Sequence, residues 1–125
     1  MENRMTLKRI RLELARTPEF PEGHPGCGYE FTAPLDRQGR LDTKGWTQEK
    51  DHCGVRRFWH STTDEHGSLV HHRGNHWAFT WPGGDTEEPI FRLDKHTFTV
   101  GEYISVTEHD GVSRPFRVVA VEPLH

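Results

Sequence analysis

A chain of 125 residues is long enough for one hydrophobic core and too short for two. Its net charge of −3, from 16 basic and 19 acidic side chains, lacks the basic excess of a nucleic-acid-binding surface and counts against such a partner. No stretch approaches the roughly 20 apolar residues that span a bilayer, and the amino terminus, MENRMTLKRI, has no apolar signal core, so the expected location is the cytoplasm.

Apolar content is 32%, and counting the 12 glycines raises it to about 42%, a little below the usual range. Four Trp, seven Phe and two Tyr offset the shortfall, since each buries a large area. Ten histidines are many for this length: protonating all ten would carry the net charge from −3 to +7. In a reducing cytoplasm Cys27 and Cys53 stay thiols, so two cysteines do not make a disulfide framework.

In chain order, residues 6 to 15 place Ile10, Leu12 and Leu14 opposite Arg9, Arg11 and Glu13, the period-two signature of a half-buried strand. A helix is the competitor, through Leu7, Ile10 and Leu14. Residues 17 to 28, TPEFPEGHPGCG, hold three prolines and three glycines and read as a loop. Residues 29 to 35 alternate as a strand that ends near Pro34. DRQGRLD follows as a turn, with Leu41 starting a short return strand. Residues 43 to 54 show no period and form the longest excursion, with room for one helical turn. Residues 55 to 61, 68 to 73 and 76 to 81 form a run of strands joined by turns at DEHG and at Gly74-Asn75, the latter a two-residue hairpin signal. PGGDTEEP breaks the chain again. IFRLD and HTFTV are short alternating pieces. Residues 103 to 107 and 116 to 121 flank a turn at Asp110-Gly111 and read as a hairpin with a buried second strand.

Seven or eight short, mostly antiparallel strands with almost no helix predict a single all-β domain over 1–125, a small partly open barrel or sandwich. The predicted core comprises Trp77, Phe79, Ile104, Val106, Phe116, Val118 and either Ile10 or Leu12.

Two histidine constellations carry chemical potential. The first depends on register. With Gly74-Asn75 as a two-residue loop, Leu69, His71, Arg73, His76, Ala78 and Thr80 share one face, while Val70, His72, Trp77, Phe79 and Trp81 share the core face. His71, Arg73 and His76 are then the ligand-binding candidates. A four-residue loop at Asp64 to Gly67 would set His60 opposite His71, and three histidines on a sheet can hold zinc with a fourth position open. A three-residue loop, Glu65 to Gly67, would pair His60 with His72 and scatter the set. Histidines that merely keep the face polar are the plain alternative.

The second constellation is loop-borne: His24 and Cys27 in HPGC, with His52 and Cys53 in HC. Thiolate and imidazole together are the donors of structural zinc. Adjacent His52 and Cys53 fit one ion awkwardly, and two thiols packed as small apolar groups are the alternative. A Cys–His nucleophilic pair also stays open, since such partners meet in space rather than in sequence. No GxGxxG, Walker loop, GxSxG or HExxH is present. Arg56 and Arg57 beside Phe58 and Trp59 resemble an arginine–aromatic nucleic-acid face, against which the acidic balance weighs.

The strings HPGCGYEFTAPLD, HCGVRRFWH and LVHHRGNHWAF, with GEYISV and FRVVAV, resemble small uncharacterised bacterial proteins over Leu7 to Val121. That resemblance implies no activity and transfers no functional residue. On the residues alone, the expected function is a non-enzymatic binding or accessory protein with a His/Arg/aromatic face. The alternative is a zinc protein, with or without metal-dependent catalysis.

Overall fold

The computed structural model describes residues 6–72, 76–82, 87–90, 97–108 and 110–124. Among them, the alternating segments form eight strands: β1 (Thr6–Leu14), β2 (His24–Leu35), β3 (Gly54–Phe58), β4 (Glu65–His72), β5 (His76–Thr80), β6 (Glu87–Ile90), β7 (Tyr103–Thr107) and β8 (Ser113–Pro123). Each strand pairs antiparallel with the next, and β8 returns to β1, so the sheet curls into a barrel. Its thinnest seam is β6–β7, held by Ile90 opposite Val106. Closure removes the open sheet edges that would otherwise invite pairing with another chain.

Inward positions carry the core. Ile10, Leu12, Tyr29, Phe31, Phe79, Ile104, Val106, Phe116 and Val118 are all buried, and so is Trp77. Both Ile10 and Leu12 belong to this set, where sequence alternation required only one. Outward positions of β1–β3 carry a charge ladder: Arg11 contacts Glu13 and Glu30, and Arg56 contacts Glu30 and Asp64. Arg11 and Arg56 lie over the Phe58 ring at 4.3 and 5.0 Å. The arginine–aromatic pairing seen in the sequence is thus already engaged by carboxylates of the same chain.

The central hairpin differs from the two-residue reading. His72 pairs with His76, His71 with Trp77, and Leu69 with Phe79, leaving three residues, 73–75, between the strands. One extra loop residue exchanges the faces of β4 against β5. Leu69 therefore joins the core in place of Val70, and His71 shares the face of Trp77. Between β3 and β4 the turn spans 59–64, with Arg57 opposite Glu65, so His60 sits in a turn and faces no residue of β4.

Other boundaries moved for local reasons. β2 starts at His24, inside the stretch read as a loop, because a bulge absorbs Pro25, Gly26 and Cys27: pairing jumps from Glu13–Gly28 to Leu14–His24. Leu41 makes a single bridge to Leu35. The excursion holds a full helix, α1 (Thr43–Glu49), plus a 3-10 turn at Lys50–His52. The Asp42 carboxylate caps α1 by accepting from the Gly45 N–H at 3.2 Å. Of IFRLD, Ile90 lies in β6; residues 91–96 lie outside the described residues, and 97–99 form no strand.

Helix α1 packs at the end of the barrel where β2 finishes. The Trp46 indole N–H donates to the Leu69 carbonyl at 2.9 Å, and its ring meets Trp77 edge-on at 6.0 Å. Cys53, just after the 3-10 turn, is buried in the core and donates to the Glu49 carbonyl at 3.4 Å. Burial pushes its thiol up from the ordinary 9.0 to about 11, with the Glu49 charge adding to the effect. A pKa raised in the folded state means the fold holds the proton more tightly than the unfolded chain. This contribution is complete below about pH 9 and is lost as pH rises toward about 11, by an amount on the order of 2–3 kcal/mol. Denaturant melts across that window should show a steeper alkaline loss in wild type than in Cys53→Ala. Equal slopes would refute the assignment.

Candidate metal centre

The opposite end of the barrel collects the chain's chemistry. There β1 hands over to β2, β3 to β4, and β7 to β8, so these connections converge on one mouth. The bulge that opens β2 sets His24 at the rim and turns Cys27 into the interior, where it is fully buried. The strand can bend this way because Gly28 has no side chain: a Cβ there would lie 1.9 Å from the Leu12 carbonyl oxygen. His60 arrives from the 59–64 turn, whose geometry requires a positive φ of 70° at Ser61.

One potential ligand atom from each of His24, Cys27 and His60 lies within 4.8 Å of the other two. The imidazoles of His24 and His60 stack with centroids 4.6 Å apart and planes inclined by 13°. Phe20 meets both edge-on, at 5.2 and 5.7 Å. Nδ1 of His24 accepts the Gly26 N–H at 2.8 Å. Burial raises the Cys27 thiol above its ordinary value; a hydrogen bond from the His60 backbone and the charge of Arg57 pull the other way. A bare thiol here is a poor nucleophile, which weighs against the Cys–His pair as a catalytic unit.

Beside this trio lies a buried carboxylate. Glu108, only 3% exposed, sits in the β7–β8 turn and is held from three strands. The Tyr29 hydroxyl donates to it at 2.5 Å, Arg57 Nε at 3.1 Å and Arg114 at 2.9 Å. Arg114 also reaches Asp110 at 3.0 Å and Glu19 at 3.4 Å, while Arg57 lies over Trp59 at 4.3 Å. Hydrogen bonding to Asp110 and the charge of Glu108 hold Arg114 above its ordinary value despite burial. Burial works against the charge of Arg57, yet Glu108 and Tyr29 outweigh it. The clamp ties β2, β3 and β8 together across the mouth and so fixes the frame on which the trio stands.

The structure brings together members of both sequence constellations. His24 and Cys27 come from the loop-borne set, and His60 from the β-face set. His52 and Cys53 go elsewhere: His52 pairs with Glu49 at 3.2 Å, and Cys53 enters the core at the far end. His71 is half-buried between Trp46 and Trp77, at ring distances of 6.0 and 4.4 Å. His76 pairs with His72 in the β4–β5 ladder, and Arg73 lies outside the described residues. The Glu108 clamp had no sequence signal: an acid in a hairpin turn reads as solvated. Among the described residues no helix is long and apolar enough to cross a membrane. Compared with family models, curated proteins and solved structures, the chain matches none.

Proposed function

We propose that this protein binds a transition metal ion, zinc or one of similar softness, at the mouth of its barrel through His24, Cys27 and His60. The observation that carries the reading is the meeting of three mixed N and S donors, from the start of β2 and from the β3–β4 turn, within 4.8 Å. In a tetrahedral zinc site with bonds of about 2.0–2.1 Å to N and 2.3 Å to S, donors stand about 3.3–3.6 Å apart. The set therefore needs to contract by about an ångström, which side-chain rotation can supply. Three protein donors leave a fourth position for water or a small ligand, the arrangement of sites that bind or activate something rather than merely staple a fold. Buried Cys27 suits this role, since a bound cation favours the thiolate that burial alone opposes. This makes the protein a binding protein whose ligand is a metal, in a reducing compartment such as the cytoplasm.

Calorimetric titration of protein purified without a histidine tag is expected to give one zinc ion per chain. His60→Ala should weaken binding at least tenfold, and His52→Ala should leave it unchanged. A wild-type chain that takes no zinc, or an effect confined to His52→Ala, refutes the reading.

A further inference from the structure

The rings of His24 and His60, as they stand, cannot share an ion. An imidazole nitrogen directs its lone pair in the plane of its own ring. Planes inclined by only 13° and stacked at 4.6 Å meet far outside the site, so no position between the residues lies in both. The stack must open before both nitrogens reach one metal.

His24 adds a second constraint. A neutral imidazole has one N–H and one acceptor nitrogen. Because Nδ1 accepts the Gly26 N–H, the proton of neutral His24 sits on Nε2. An ion at Nδ1 displaces the Gly26 amide. An ion at Nε2 moves the proton to Nδ1, which then faces another donor. Either route breaks the Gly26 hydrogen bond.

Phe20 flanks the closed arrangement, its ring perpendicular to both imidazoles and in contact with each. Its backbone is anchored: Phe20 N–H donates to the Thr17 carbonyl at 3.1 Å, Thr17 N–H returns to the Phe20 carbonyl at 3.0 Å, and Gly23 N–H adds a bond of 2.8 Å to that same carbonyl. Glu19, next in sequence, is tied to Arg114. The backbone at Phe20 is thus pinned, and its half-buried ring packs against the core. His60 is the ring able to swing, being exposed with Ser61 Oγ at 3.3 Å from its Nδ1.

We propose that Phe20 gates this site: it stabilises a stacked, closed form of His24 and His60 that an entering ion must open, with release of the Gly26 N–H. The proposal rests on the metal reading above. A gate of this kind lowers apparent affinity by the fraction of molecules open at any moment.

The test is zinc titration of wild type, Phe20→Leu and Phe20→Ala, each followed by calorimetry and by the Gly26 amide resonance. Two edge contacts removed should tighten zinc binding about three- to tenfold in Phe20→Ala, with Phe20→Leu between it and wild type. The Gly26 amide should move and exchange faster on loading in all three. If wild type binds zinc but Phe20→Ala or Phe20→Leu binds equally or more weakly with an intact β spectrum, the gate is overturned while the metal site stands. A Gly26 amide that ignores the ion also overturns it. Should Phe20→Ala not fold, Phe20→Leu and the wild-type Gly26 amide decide. A wild type that takes no zinc ends both proposals.

Discussion

Replacing Glu108 with alanine is expected to cost about 3–5 kcal/mol of folding stability, because it strands buried positive charge at the barrel mouth. The carboxylate side chain is 1% exposed, and those of Arg57 and Arg114 are 13% exposed each. Arg114 keeps Asp110 and Glu19, so the larger penalty falls on Arg57 and on the Tyr29 hydroxyl, both of which lose their anion. Glu108→Gln keeps the shape and one acceptor oxygen and should cost less. Glu108→Leu combined with Arg57→Met, which removes both charges, should recover part of the loss, because apolar replacement of a buried pair is often neutral or better. Urea melts of these three variants beside wild type measure this directly. A loss below about 1 kcal/mol in Glu108→Ala would show that the clamp is solvated and holds nothing together.

The second large effect is expected at the other end. Trp77→Ala should cost about 3–5 kcal/mol, as truncation of a large buried aromatic does. Trp77 is 3% exposed, meets Trp46 edge-on and has His71 at 4.4 Å. The deletion therefore leaves a cavity under α1 and loosens the Trp46 bond to Leu69. Because His71 shares this face, its ring resonances should shift in Trp77→Ala. A stability change under about 1 kcal/mol would place Trp77 at the surface rather than in the core.

The fold was legible in the sequence where alternation is clean. Residues 6–15, 29–35, 103–107 and 116–121 read as strands because their inward positions are apolar and their outward positions charged or small, and all but Ala15 lie in strands. Register was harder. Gly74-Asn75 is a strong two-residue signal, but Arg73 also lies between the paired strands, and that single residue put Leu69 in the core in place of Val70 and turned His71 to the face of Trp77. At that hairpin both faces contain histidine, so the pattern penalises a slip weakly.

The candidate site was half legible. HPGC announced His24 and Cys27 by chemistry and spacing, and glycine at 26 and 28 hinted that backbone had to bend there. The partner that closes the group, His60, is visible as a residue, but the alternation of residues 55 to 61 places it in a strand. Its place in a turn follows from β3 ending at Phe58, where Gly28 opposite it ends the pairing. Adjacent His52 and Cys53 looked like a ligand pair, yet the 3-10 turn sends one side chain to solvent and the other into the core. Sequence neighbours on a turn diverge, and residues 36 apart converge when their connections share a barrel mouth.

One sulfur and two imidazole nitrogens from this mouth are expected to hold a single ion. X-ray absorption at the zinc edge of the loaded protein tests it most directly. The expected spectrum has one sulfur at about 2.3 Å and two imidazole nitrogens at about 2.0–2.1 Å, with a further light atom completing the shell, and the sulfur component is absent in Cys27→Ser. A shell with no sulfur, or with two, would contradict the assignment of the site to His24, Cys27 and His60.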